Sequence, residues 1–397
     1  MAAPVCAAII IQKYKSFDMA TTLPEIENLL NALLPSERLK QKPPVNLLKA
    51  TERWSETIWD MAVKLGPMPL TAEQLKQGII LSGNGVFICG VHRSGTTLLR
   101  DLLDGHPDLV VLPSEGTYYT NLETKLKKLP EHERMALLGQ EWLRRLVNPI
   151  NQPPYWLLGH SSSKHSLYVD FARYFMAWWS IVNHKIFKHW PHIAVILANA
   201  SVTNKLNAAC WIDKSPMNEQ FLDRIWQEMP KARVIHLIRN PYAVVSSRKK
   251  MEPTVSLRSI LKNLHKSYTI AAKQNALNDA QFMLSHYEDI CEDTSRFIER
   301  LTAFLNIKPE PSLLSPTVAG NPVRANSSFI TNAVAGQIIS PTRYERPEIL
   351  SPYEKEVLEA YLKYSARKTG YELTGTNYLR GAFIKFGHML TSKYINI

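Results

Sequence analysis

The chain has 397 residues, 45% apolar, 21% charged and 9% aromatic, a composition that can bury a globular core and excludes a disordered tail or a fibre. Sixteen Gly and 25 Pro without a short period exclude collagen-like, low-complexity and solenoid architectures. The formal charge of +12 favours anionic ligands, but the basic residues are interleaved with acids and densest only at Arg248-Lys249-Lys250, so no nucleic-acid-binding stripe is expected.

The run Val5 to Ile11 is well short of the roughly 18 apolar residues of a membrane span, and no such span is expected. The first residues lack a basic start and a small-residue cleavage site, so a leader is not expected either. Cys6, Cys89, Cys210 and Cys291 form no CxxC pair, which indicates neither a zinc site nor a disulfide framework and suits a reducing, cytoplasmic setting.

Residues 20 to 80 read as two or three amphipathic helices. Ile26, Leu29, Leu30, Leu33 and Leu34 recur at helical spacing until Pro35, and Trp54, Ile58, Met61, Ala62 and Leu65 mark a second helix from Val45 to Leu65 that Gly66-Pro67 stops. Capping the main domain is the expected role of this extension, residues 1–83; pairing with a second copy in a homodimer is the alternative. From residue 84 the texture changes to short apolar runs alternating with helical patterns, as in a parallel sheet covered by crossover helices. Strands are expected at Val86–Cys89, Leu109–Leu112, Ala209–Ile212, Arg233–Ile238 and Phe282–His286. The fold class is therefore α/β, a central parallel sheet of about five strands flanked by helices within a main domain of residues 84–397. Residues 117 to 206 form a helical insertion carrying Trp142, Trp156, Trp178, Trp179 and Trp190. Its stretch Val169–Phe187 is apolar nearly all round, which implies burial on several sides or the lining of a pocket. After Asn306 the chain is rich in Pro and Ser, then closes with a helix near Tyr353–Arg367 and a basic, aromatic tail.

The first strand runs through Gly90-Val91-His92-Arg93-Ser94-Gly95 into a helix opening on Thr96-Thr97. Strand, glycine-bounded loop and helix start together aim backbone N–H groups and a positive helix end at an anion. Glycine allows the tight wrap because side chains would collide with the ligand. A nucleotide triphosphatase loop would carry Lys where Thr96 stands, and a downstream strand would end in a magnesium-holding Asp where Arg239 stands. Arg93, Lys214 and Arg239 thus replace the lysine and the metal, and the expected ligand is phosphate-like and needs no metal ion. Ligands of open parallel sheets lie beyond the carboxyl ends of the strands. There the sequence places Pro113-Ser114-Glu115-Gly116, then Asp213-Lys214-Ser215-Pro216 leading into a helix from Met217 to Met229, then Arg239-Asn240-Pro241-Tyr242 with Ser246 and Ser247 on the following helix.

Gly90–Leu99 and Arg239–Ser247 resemble the two donor-binding signatures of sulfotransferases that use 3'-phosphoadenosine 5'-phosphosulfate (PAPS), whose second motif also places Arg and Ser eight residues apart. Arg93-Ser94-Gly95-Thr96-Thr97-Leu98, His106-Pro107, Asp213-Lys214-Ser215-Pro216, Arg324–Phe329 and Arg343-Tyr344 are most similar to the branch with the tyrosylprotein and bacterial-type sulfotransferases. The resemblance spans about residues 84 to 370, weakest over the insertion. It implies that Arg93, Ser94, Gly95, Thr96 and Thr97 hold the 5'-phosphosulfate, that Arg239 and Ser247 hold the 3'-phosphate with Arg324 adding to it, and that Lys214 is the catalytic lysine. The branch's catalytic glutamate corresponds to Glu115, at a spacing from the loop arginine one residue longer here; His92 is the other candidate base. PAPS and its product PAP (adenosine 3',5'-bisphosphate) would be partners, with the insertion on the side of an unidentified acceptor and its tryptophans either core or an aromatic lid. A kinase or NTPase with a degenerate loop, and a non-catalytic binding protein on the same scaffold, are the alternatives.

Overall fold

A computed structural model describes residues 22–35, 43–151, 153–159, 165–185, 191–324, 334–338 and 350–373. Three helices come first, α1 (Leu23–Leu33), α2 (Val45–Leu65) and α3 (Ala72–Ser82). The capping boxes Thr22/Glu25 and Thr71/Gln74 fix the starts of α1 and α3 by satisfying orphan N–H groups, and Gly66 with φ 76° stops α2. Five parallel strands follow, β1 (Gly85–Cys89), β2 (Leu109–Val111), β3 (Cys210–Lys214), β4 (Arg233–Ile238) and β5 (Phe282–His286), in the order β2-β3-β1-β4-β5. The crossovers include α4 (Thr96–Asp104) after β1, then α5 (Glu131–Val147), α6 (His165–Lys185) and α7 (Ile193–Val202) between β2 and β3. α8 (Leu222–Glu228) precedes β4, α9 (Pro241–Met251) and α10 (Leu257–Leu277) precede β5, and α11 (Thr294–Leu305) and α12 (Pro352–Lys368) close the described chain. The expected α/β architecture is the one found. Among the described residues no helix is long and apolar enough to cross a membrane.

Two expectations need correction. β3 continues through Asp213 and Lys214, because Ile88 pairs with Lys214 and keeps both charged residues in the ladder. The helix expected from Met217 to Met229 begins only at Leu222: Met217 takes a left-handed φ of 70° and donates its N–H to the Gly90 carbonyl at 3.0 Å, and Asn218–Phe221 form a single 3-10 turn. Trp190, residues 325–329 and Arg343-Tyr344 lie outside the described residues.

Strand alternation distributes the core. Phe87 and Cys89 point to one face of the sheet and Val86 and Ile88 to the other, so both faces are covered. On the Phe87 face, Trp211 meets Phe87 edge-on at 5.3 Å beneath the insertion helices. Trp142, Trp156, Trp178 and Trp179 are all buried in this cluster, so they are core and not a lid. The N-terminal helices share the same cluster. Trp54 of α2 packs edge-on against Trp156 at 5.3 Å and Tyr168 at 5.0 Å, and its indole N–H donates to Glu27 Oε1 at 3.2 Å. Gly139 of α5 admits Trp59 of α2 so closely that a Cβ there would lie 2.1 Å from the ring. The extension therefore caps the insertion. Trp54→Ala should cost about 3–5 kcal/mol, the usual scale for a buried aromatic, read from the urea midpoint. A midpoint equal to wild type would mean that the extension contributes nothing to the common core.

Candidate functional site

The site is built at the carboxyl end of β1, where the chain leaves for β2 and β3 on one side and continues to β4 on the other. The loop from Gly90 to Gly95 turns sharply there, with φ of 142° at Gly90, 77° at Arg93 and 93° at Gly95. Its glycines are required by the protein's own neighbours. A Cβ on Gly90 would lie 2.2 Å from the Leu237 carbonyl oxygen, and one on Gly95 would lie 2.2 Å from the Tyr287 ring. The loop feeds α4 with Thr96 and Thr97 in its first turn, so the positive end of that helix faces the cleft. Beneath the loop, Gly90 N–H donates to Glu219 Oε2 at 3.0 Å, and burial pushes the Glu219 carboxyl up to about 7.

Pairing outside the strands brings in two further segments. Ser215 N–H donates to the Ile88 carbonyl at 3.0 Å and Gly116 N–H to the Lys214 carbonyl at 3.3 Å, which carries the β2 and β3 exits to the mouth of the loop. Alternation sends Asp213 to the insertion face and Lys214 to the α4 face. Lys214 is 1% exposed, and its Nζ lies 2.5 Å from Glu115 Oε1 and 3.2 Å from Thr97 Oγ1. Burial would raise the Glu115 pKa, but the Lys214 ammonium beside it holds the carboxyl below the usual range. The Glu115 side chain remains 41% exposed and so stays accessible from the cleft.

Arg93, Ser247 and Arg239 form a connected group. Arg93 Nε donates to Ser247 Oγ at 2.8 Å, Arg239 donates to the Arg93 carbonyl at 3.3 Å, and the Arg239 guanidinium lies 4.2 Å over the Tyr287 ring. Asn240 caps α9 through a 3.0 Å bond from Tyr242 N–H, and Pro241 occupies its first turn, which fixes the helix that presents Ser247. The structure thus joins residues that the motifs list separately. His92, Arg93, Thr96, Thr97, Glu115 and Lys214 all line one cleft of about 240 Å³. Ser94 is buried, and its Oγ has no hydrogen-bond partner among the described residues. Burial, reinforced by the Arg248 charge, holds the His92 pKa below the ordinary histidine value. Arg324 is exposed and not in the cleft lining, whereas Val318 and Val323 are.

Several lining residues had no place in the sequence reading. Arg100 and Asp101 enter from α4, where Arg100 bonds to Asp101 Oδ1 at 2.5 Å and to the Pro113 carbonyl at 3.0 Å. Burial pushes the Asp101 carboxyl up to about 6 even beside that arginine. The signal for them was present: a charged pair among Leu98, Leu99, Leu102 and Leu103 on a helix whose leucines face the core. Asn148 and Asn151 follow α5, and Arg248 and Glu252 form a 2.9 Å ion pair at the end of α9. No periodicity marks the two asparagines.

Residues 85–311 match the family model described as "Sulfotransferase family". Among solved structures, the sulfotransferase domain of the curacin biosynthetic pathway is 18% identical, over 73% of this chain and 98% of that one, with a TM-score of 0.42. Sulfotransferase STF9 from Mycobacterium avium is 13% identical over 94% of this chain and 98% of that one, TM-score 0.41. Mouse sulfotransferase SULT7A1 complexed with PAP is 12% identical over 80% and 94%, TM-score 0.35. No protein with a curated description matches the sequence.

Proposed function

This chain belongs to the sulfotransferase family, and we propose that it carries the sulfuryl group of PAPS to a hydroxyl or amine of an acceptor by in-line transfer that needs no metal ion. The observation that carries the reading is the meeting of a buried lysine, an accessible carboxylate and the helix start of the loop: Lys214 Nζ is 2.5 Å from Glu115 and 3.2 Å from Thr97. PAPS supplies a sulfuryl group on a 5'-phosphate that departs as part of PAP.

The residues present fit that donor. The Ser94 hydroxyl is buried with no hydrogen-bond partner among the described residues, in a loop whose shape suits an anion. Ser247 accepts from Arg93 and still has its own O–H to donate, so it can serve Arg93 and a phosphate oxygen together. Arg93, Ser94, Thr96 and Thr97 would hold the 5'-phosphosulfate; Arg239 and Ser247 would hold the 3'-phosphate. As the bond from sulfur to the 5'-phosphate oxygen breaks, negative charge grows on that oxygen, and Lys214, Arg93 and the α4 N-terminus neutralise it. As the bond from sulfur to the acceptor oxygen forms, the acceptor's proton passes to Glu115, with His92 the second candidate. No covalent enzyme intermediate is required, because both substrates are held side by side.

Calorimetric titration with PAP, and separately with ATP and magnesium, tests the donor. PAP should bind without metal and the Arg239→Ala variant should lose that binding. Preference for magnesium ATP would overturn the reading in favour of a kinase or NTPase.

A further inference from the structure

We propose that Arg145, on insertion helix α5, is a positioning residue for Glu115; the inference rests on Glu115 being the base. The Arg145 guanidinium grips three consecutive residues of the segment after β2. It donates to the carbonyl of Glu115, to that of Gly116 at 3.0 Å and to Thr117 Oγ1 at 3.1 Å. Its own direction is fixed from behind: Nε bonds to Glu141 Oε1 at 2.9 Å, one turn back on α5, and its Cζ stands 5.4 Å from the centre of the Trp142 ring. The side chain is only 15% exposed, so these bonds are largely shielded from water. A planar fork with five donors is suited to spanning several acceptors, and the shorter, single-headed lysine is not.

The opposite side of the segment is held by the sheet. Thr117 N–H donates to Ser215 Oγ at 2.7 Å, Ser215 Oγ in turn donates to Asp213 Oδ1 at 2.9 Å, and a Cβ on Gly116 would lie 2.2 Å from that same Asp213 oxygen. Thr117 has a left-handed φ of 49°, a conformation that persists only where its surroundings over-determine it. The Glu115 carboxylate thus projects from a backbone clamped between α5 and β3, and the clamp sets its register with Lys214. Arg145 does not line the described cleft, so its effect is taken to pass through the Glu115 segment. The insertion thereby serves the reaction with a half-buried arginine, apart from whatever it contributes to acceptor choice.

The test is a double-mutant cycle of Arg145→Lys and Glu115→Gln, read as PAP formed from PAPS with 2-naphthol as a generic acceptor, alongside PAP affinity and amide exchange of residues 113–117. Arg145→Lys should slow turnover at least about tenfold, within the roughly 100-fold that a displacement of about 1 Å can cost. PAP affinity should stay at the wild-type value and exchange should accelerate at 113–117 while α4 is unchanged. In the Glu115→Gln background the same substitution should have almost no further effect, because groups acting as a unit are not additive. An equal loss in both backgrounds, or unchanged exchange at 113–117, would overturn the positioning role. Glu115→Gln as fast as wild type would instead overturn the base assignment, and a slow Glu115→Gln beside a fast Arg145→Lys would overturn the positioning role alone. Should Arg145→Lys fail to fold, Glu141→Gln, which removes the charged rear support of the guanidinium together with the Arg144 ion pair, replaces it with the same expectations in weaker form.

Discussion

Lys214→Ala should lower turnover by about 100-fold or more while leaving the KM for PAPS within a few-fold of wild type, the scale for losing one fixed stabiliser of transition-state charge. The ammonium of this 1% exposed side chain lies 2.5 Å from Glu115 and 3.2 Å from Thr97 at the head of α4. In the proposed mechanism its charge faces the departing phosphate oxygen, whose negative charge is absent in bound PAPS, grows in the transition state and is complete in PAP. The ground state should therefore lose little when it is removed. The variant also leaves Glu115 without its ionic partner, so the carboxyl pKa should rise and the acid limb of the kcat/KM profile should move to higher pH. Turnover equal to wild type would end the role assigned to Lys214. A rise in the KM for PAPS matching the loss of turnover would make it a ground-state ligand of the donor.

Arg93→Ala should have a different signature. This residue lines the cleft, yet its Nε bonds to Ser247 Oγ at 2.8 Å and its carbonyl accepts from Arg239 at 3.3 Å. Removing the side chain deletes a cation beside the transferring group and frees the serine expected to hold the 3'-phosphate. Turnover should fall by about 100-fold or more, and affinity for both PAPS and PAP should weaken with it, whereas Lys214→Ala should leave the KM for PAPS nearly unchanged. The two variants together separate transition-state stabilisation from donor binding. Wild-type turnover in Arg93→Ala would remove Arg93 from the mechanism, and unchanged PAP affinity would mean that its bridge to Ser247 does not matter to the donor.

Much of this protein was legible in short windows of sequence. α2 begins at Val45 and ends at Leu65 as its apolar spacing requires, and β4 and β5 coincide with the runs Arg233–Ile238 and Phe282–His286. The anion loop was visible because its information is local: two glycines, two threonines and an apolar strand and helix on either side. The errors fell where a distant partner decides. Asp213 and Lys214 have the charge of a loop but stay in β3 because β1 pairs with them, and Met217 breaks its helix to reach the Gly90 carbonyl. All-round apolar texture in the insertion could not distinguish a lid from a core; contact with α2 decided for the core.

The sequence by itself determined the α/β class, the strand, loop and helix that suit an anion, and the residue types that suit sulfuryl transfer. Only the tertiary structure decided which of them meet. Glu115 and Lys214 stand 99 positions apart, and Arg93 and Ser247 stand 154 apart. Hydrophobic periodicity fixes an element and the face it buries, but the neighbour across the sheet follows from strand order. That order placed β3 and β4 on either side of β1 and so gathered the charges at one edge. Arg145 carries the same lesson: on its helix it is an ordinary arginine one turn from Glu141, and its hold on the Glu115 segment exists only because the insertion folds back over the sheet.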